Sequence, residues 1–209
     1  MLPIISGAFF DSCMYKRVFD LFFGFVALAF SLPLMVLLAF GVYLEDGSPI
    51  IFRQMRVGKD ERLFQMFKFR TMVKNADQLQ RLMETRDMRG NLMHKTKDDP
   101  RITRIGRLLR RFSLDELPQL FNVLAGTMSL VGPRPEIPYL AEKYEPWQRK
   151  RFTVLPGMTG WWQVNSRHAQ PMQLHIEYDI YYIENYSFWL DLKIIFRTIW
   201  VVLIGTGSY

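Results

Sequence analysis

Asp115 and Glu116 stand side by side in SLDELPQ (113–119), ahead of an apolar run made by Leu117, Leu120, Phe121, Val123 and Leu124. Two readings of the pair are open. Ser113-x-x-Glu116 fits a capping box, in which the serine hydroxyl and the glutamate carboxylate close a helix start. The other reading is a reaction centre, because an ionised aspartate attacks phosphorus or holds a divalent cation. Pro118 bears on the helix start. With Ser113 as the cap, Pro118 becomes the fifth helical residue, loses a bond to Leu114 and crowds its carbonyl. A start at Asp115 puts the proline in the first turn, where no donor is needed. Either register sets both carboxylates at the positive end of the helix dipole, so the sequence predicts them to be anionic at neutral pH.

Cations accompany the pair. Arg110 and Arg111 precede it by a turn. In FKFRTM (67–72) period-two alternation puts Lys68 and Arg70 on one face and Phe67 and Phe69 on the other. That is either a solvated strand face or a grip for phosphate. Arg134 lies between Pro133 and Pro135, whose fixed φ angles stiffen the backbone that carries it. A guanidinium held in this way loses less entropy on gripping a phosphate or a uridine carbonyl; the plain alternative is a turn with a surface arginine. Anions beside cations at a helix start suit phosphoryl transfer, which depends on positioning and charge neutralisation.

The elements that must position these groups begin with a membrane segment. Leu21 to Leu44 contains no charged residue, and 24 residues at roughly 1.5 Å each cover about 36 Å, enough for a hydrocarbon core of roughly 30 Å. The run is too long for a signal-peptide core, and no small-residue cleavage site follows it. Pro33 removes the bond to the carbonyl of Ala29 and predicts a kink. Lys16 and Arg17 lie before the run, and Arg53, Arg56, Lys59 and Arg62 lie after it. Both ends therefore prefer the cytoplasm, which a bent, re-entrant helix satisfies and a simple span does not. On pattern alone both stay open. Asp20 suits an interface better than the lipid core.

Beyond a turn-rich stretch at 45–49, the runs 50–57 and 62–72 joined by Gly58-Lys59-Asp60-Glu61 read as a β-hairpin. Residues 76–88 read as a polar helix. In 100–112, Ile102, Ile105, Leu108 and Leu109 recur at helical spacing among five arginines, either a solvated charge run or a surface for headgroups or phosphate. The last apolar run, 188–205, carries Asp191, Lys193 and Arg197 and reads as an amphipathic helix on the core or in the interface. All five tryptophans lie after residue 146, and Trp161 and Trp162 read as core. The 209-residue chain carries 27 Lys and Arg against 20 Asp and Glu, for a net charge of +7, which favours anionic partners. Its single cysteine, Cys13, excludes an intrachain disulfide and a cysteine-based zinc cluster. His94, His168 and His175 lack metal-site spacing.

KRVFD (16–20), the proline-broken apolar helix, FKFRTM, DPRITRIGRLLRRFSLDELPQLFNVL (99–124), MSLVGPRPE (128–136) and PGMTGWWQV (156–164) together resemble the bacterial sugar transferases. These are monotopic phosphoglycosyl transferases that start glycan assembly on polyprenol phosphate. The resemblance runs from Lys16 to Tyr209. It implies an α+β, mainly helical fold with a re-entrant membrane helix, a small β-hairpin and interfacial amphipathic helices. Residues 1–15 would be an N-terminal extension, 16–46 the membrane helix and 47–209 a cytosolic catalytic domain. The implied reaction moves a sugar 1-phosphate from a UDP-sugar to undecaprenyl phosphate and releases UMP, with Mg2+ present. Asp115 matches the nucleophile that forms an aspartyl phosphosugar, and Glu116 matches its partner for metal or for polyprenol phosphate. Arg134, with Pro133 and Pro135, matches the nucleotide-associated motif, and Arg110 a phosphate contact. The bilayer is the expected partner, a homodimer is open, and the location implied is the cytoplasmic face of the bacterial inner membrane.

Two departures stand out. Ser31-Leu32-Pro33 replaces the Ser-Pro common at the helix break, and Thr127 stands where many members carry an acid. The competing reading is a non-catalytic membrane-surface protein whose basic helices bind acidic lipid. Nucleic-acid binding is not expected, because the arginine run is interleaved with aliphatics instead of stacking aromatics.

Overall fold

The computed structural model describes residues 7–76, 99–165 and 175–204, with side chains from residue 14 onward except that of residue 203. The expected polar helix at 76–88, His94 and His168 lie outside the described residues beyond Ala76. Helix α1 runs Gly7–Asp46, about 60 Å at 1.5 Å per residue. It starts inside the N-terminal extension and passes through Pro33 as one helix. Ser31 Oγ donates to the Leu28 carbonyl at 3.3 Å, one turn before the proline. Within it, Met14–Asp46 is long and apolar enough to cross a membrane, and its most apolar 18 residues have a mean hydropathy of 2.5.

A β-hairpin follows, β1 Ile51–Val57 against β2 Leu63–Phe69, antiparallel and in the register Ile51 to Phe69 through Val57 to Leu63. This is the predicted hairpin. Helix α2, Arg104–Arg111, starts on Thr103, whose hydroxyl accepts from Gly106 N, and Glu45 at the end of α1 accepts from Arg104 N and Ile105 N at 2.7 and 2.8 Å. Three of the orphan amides of α2 are thereby satisfied, one of them within its own chain segment and two by α1. Helix α3, Gln119–Ala125, ends on Gly126 at φ 83°. Strands β3 Ser129–Val131 and β4 Gly157–Thr159 pair in parallel. A Cβ on Gly157 would run into the backbone of Gly132, so this pairing needs glycine there. The remaining α-helices among the described residues are α4 Pro138–Ala141, α5 Trp161–Asn165, α6 Glu177–Glu184 and α7 Phe188–Ile204.

KRVFD fastens α1 to this body. Lys16 pairs with Asp191 of α7 at 2.7 Å, and Arg17 donates to the last carbonyls of α3, Val123 and Leu124, at 2.7 and 2.9 Å. Cations belong at that helix end. Asp20 is fully buried and accepts from Ser129 Oγ and Leu130 N, both at 3.0 Å. The sequence suggested an interfacial place for Asp20; its partners are buried polar groups of β3. At the other end Met35 and Val42 pack with Phe69 and Leu109, while Arg70 holds Asp46 through its carboxylate and carbonyl and the Gly47 carbonyl. The outer face of α1 stays apolar and open at Phe22, Phe25, Phe30, Val36, Leu37, Phe40 and Leu44. Helix α7 turns Asp191 and Ile194 inward and Trp189, Phe196 and Trp200 outward, as its amphipathic pattern predicts.

Candidate active site

Ser113 takes a left-handed conformation, φ 55° and ψ 22°, and makes no side-chain cap. The capping box therefore does not form. Leu114–Glu116 make one 3-10 turn, Pro118 stands at the N-cap position, and α3 begins at Gln119. The helix start is later than either register read from the sequence. The turn leaves both carboxylates standing off the helix end, where the dipole effect fades within a turn. Burial instead pushes the Asp115 carboxyl above its ordinary value; Lys68, Arg110 and Arg134 oppose the shift and the Glu116 charge adds to it. The shift is opposite in direction to the one a helix dipole would give, because desolvation disfavours the charged form.

The hairpin brings in the first cation. Asn122 on α3 donates to the Gln65 carbonyl at 2.7 Å and accepts from Phe67 N at 3.0 Å, bolting β2 to the helix that follows the carboxylates. Lys68, the next residue on β2, then reaches Glu116 Oε1 at 2.8 Å and Asp115 Oδ2 at 3.9 Å. Arg134 reaches the same Glu116 oxygen at 3.1 Å, and the Glu116 charge holds its guanidinium above its usual proton affinity. All four side chains keep some exposure, from 14 % at Asp115 to 31 % at Arg134, so the cluster is open to a ligand.

Arg110 donates to Thr71 Oγ1 at 2.9 Å; burial lowers its proton affinity and Asp115 raises it. Arg101 forms a buried ion pair with Asp99 at 2.6 Å, while Arg104, Arg107 and Arg111 are exposed. The arginine run is thus split between an internal pair, a site neighbour and an exposed face. Arg70 is not brought to the carboxylates, being committed to the end of α1. The loop that carries Arg134 is buried at Pro133 and Pro135, whose carbonyls accept from Gly157 N at 2.8 Å and Arg56 NH1 at 3.2 Å. Thr127 bonds with Asn122 through its hydroxyl, a neutral contact.

The sequence reading missed the anchor of this loop. Arg151 donates to the Arg134 carbonyl at 2.7 Å and to Tyr144 Oη at 2.8 Å, and pairs with Asp179 at 2.8 Å and Glu136 at 3.5 Å. Tyr144 donates to Glu136 at 2.6 Å. Nothing in the local pattern of QRKRFT sets Arg151 apart from its neighbours; only the burial does.

These features define a protein with a docked apolar helix and an acidic pair enclosed by cations, next to a rigid arginine loop. The bacterial sugar transferase family matches residues 11–205, and the chain belongs to it. It is 43% identical over 203 residues to a UDP-galactose-lipid carrier transferase of Erwinia amylovora, covering 95% of this chain and 42% of that protein. It is 41% identical over 203 residues to the undecaprenyl-phosphate galactose phosphotransferase of Salmonella typhimurium, with the same two coverages. Against the uncharacterized sugar transferase EpsL of Bacillus subtilis the identity is 41% over 192 residues, 92% of this chain and 89% of that one. The chain spans about two fifths of the length of the first two relatives and most of the third.

Proposed function

We propose that the chain transfers a sugar 1-phosphate from a UDP-sugar to undecaprenyl phosphate, the opening step of a bacterial glycan such as exopolysaccharide, capsule or O-antigen. The observation that carries this reading is the Asp115–Glu116 turn held between Lys68, Arg110 and Arg134. The names of the Erwinia and Salmonella relatives support the substrate classes.

In the first half-reaction a carboxylate oxygen of Asp115 bonds to the sugar-bearing phosphorus. The bond from that phosphorus to the bridging oxygen breaks, and UMP leaves with the electron pair. An oxygen of undecaprenyl phosphate then attacks the same phosphorus, and the Asp115–phosphorus bond opens to restore the carboxylate. Lys68 and Arg110 neutralise charge at the attacked phosphate, and Arg134 holds the nucleotide part. Burial suits the nucleophile, because a poorly solvated carboxylate gives up little hydration on attack.

Asp115 and Glu116 fit a Mg2+ ion, being adjacent hard oxygen donors. Among the described residues no group of three or more His, Cys, Asp or Glu is placed to hold a metal. Substrate phosphates and water would supply the other ligands, as is usual for this ion. Held by Asp115 and Glu116, the ion would supply positive charge against the developing charge on the phosphates. The purified chain with undecaprenyl phosphate and Mg2+ is expected to release UMP from at least one of the galactose, glucose and N-acetylated UDP-sugars, and to stop in EDTA. No UMP from any of them would exclude this function.

The membrane helix reads as re-entrant. Arg17, Asp20 and Gly24 dock on α3 and β3, and Met35 to Asp46 dock on the hairpin and α2. Between Gly24 and Met35, Leu28 also packs on the cluster of Met35 and Leu109, so at most six residues, 29–34, stay undocked, about 9 Å of helix and well short of a hydrocarbon core. Both flanks attach to one body, which lies on the cytoplasmic face of the inner membrane in this reading. Tags at the two chain ends are expected to be cut by protease together, only in vesicles that expose the cytoplasmic face. Protection of one tag while the other is cut would establish a span.

A further inference from the structure

Arg56 lies on β1, where the ladder sets 52, 54 and 56 on the same hairpin face as 64, 66 and 68. Phe64 and Met66 of that face are buried, and Lys68 reaches the carboxylates. Arg56 therefore points to the same side as Lys68, further along the hairpin. Its NH1 donates to the Pro135 carbonyl at 3.2 Å and its NH2 to Gln54 Oε1 at 2.6 Å. Its Nε is buried without a hydrogen-bond partner. Both acceptors are neutral, and among the described residues no carboxylate comes within 4.0 Å of this guanidinium. Arg134 is its largest charged influence, followed by Glu136 and Glu116, and burial with the Arg134 charge brings its proton affinity down to about 10.

Two neighbouring guanidiniums, one desolvated and without an ion pair, are unfavourable unless an anion joins them. The arrangement also has a direction. Asp115 is influenced by Lys68, Glu116, Arg110 and Arg134, whereas Arg56 is influenced by Arg134, Glu136 and Glu116. Lys68 and Arg134 share Glu116, and Arg56 bonds the Pro135 carbonyl next to Arg134, so the cations run from Lys68 and Arg110 at Asp115, through Arg134, to Arg56 on the far side. A nucleoside diphosphate attacked at its sugar-bearing phosphorus by Asp115 places its other phosphate toward that far side.

We propose that Arg56 binds the nucleoside-side phosphate together with Arg134, and so holds the departing nucleoside monophosphate. The inference rests on the nucleotide reading above and adds a residue and a direction to it. A forked guanidinium is suited to a phosphate, and its lone Nε is a donor in reserve.

The test is binding of UMP and UDP to the full chain, alongside steady-state kinetics. Arg56→Gln is expected to weaken both UMP and UDP by about tenfold, and Arg56→Lys by about threefold. The KM for undecaprenyl phosphate and the thermal midpoint stay at wild-type values. A purely structural role through the Pro135 carbonyl would instead lower the midpoint and disturb both substrates. UMP affinity unchanged in a folded Arg56 variant overturns the assignment, and so does a loss of UDP affinity with UMP unaffected. Should Arg56→Gln fail to fold, Arg56→Lys carries the same comparison. Failure of the wild type to bind UMP overturns the nucleotide reading itself and this inference with it.

Discussion

Asp115→Asn is expected to reduce UMP release to background, a loss on the order of 10⁴-fold, with the fold intact. The amide matches the carboxyl in shape and cannot form the acyl phosphate. Its cost to stability is small because burial already disfavours the Asp115 charge, and the nearest cation, Lys68, has its closer contact with Glu116. Removing a desolvated charge relieves a penalty as it forfeits an attraction, so the net change is about 1 kcal/mol or less. UMP release, the thermal midpoint and the intact mass after incubation with UDP-sugar measure the three parts. Wild type is expected to gain the mass of a sugar phosphate and the variant to gain nothing. The same burial sets the acid limb of the wild-type rate profile. A carboxyl raised above its ordinary value must lose its proton before it attacks, so activity falls away at a higher pH than a solvated aspartate would give. Substantial turnover in Asp115→Asn would transfer the nucleophile's role to another group.

What could be read from the sequence follows from what is local. The hairpin was legible because alternation, a polar connection and strand-forming residues all lie within twenty residues. The final helix was legible from its period. Asp115, Glu116, Lys68 and Arg134 come together across the hairpin, the 3-10 turn and the proline loop, and the motifs marked all of them. The helix start was legible only in direction. Pro118 pushes it late, but the left-handed Ser113 depends on how α2 hands the chain to α3, which no local pattern encodes. The roles of Lys16, Arg17 and Asp20 were hidden for the same reason. Their partners lie more than a hundred residues away, at Asp191, at the end of α3 and at β3, so the charges looked like flanks of a membrane segment. Asn122 carried a faint signal, as a polar residue amid Leu120, Phe121, Val123 and Leu124. Its two bonds to β2 make it the reason Lys68 arrives at the carboxylates.

Arg151→Met is expected to destabilise the protein by about 3–5 kcal/mol at neutral pH, because it leaves two carboxylates buried without their cation. Arg151, Asp179 and Glu136 are each at most 2 % exposed, so water cannot take over the lost pairing. The loss should depend on pH, and Asp179 gives the direction. Burial pushes its carboxyl up to about 6, with Arg151 opposing the shift. A carboxyl raised in the folded state contributes stability that is full below its unfolded value of about 4 and is lost as pH rises toward about 6. Without Arg151 the folded value climbs further, and Asp179 takes up a proton instead of standing as a bare anion. At pH 5 that proton is readily available, so the deficit of the variant is smaller there than at pH 7.5. Urea denaturation at the two pH values measures the difference, and Arg151→Met combined with Asp179→Asn should recover part of it. The functional effect follows from the Arg134 carbonyl, which loses its 2.7 Å donor. Arg134 is then less firmly placed, and the KM for UDP-sugar rises more than kcat falls in whatever fraction remains folded. A deficit below about 1 kcal/mol, equal at both pH values, would mean that Arg151 does not hold the proline loop, and that the stiffness of Pro133 and Pro135 is enough to aim Arg134.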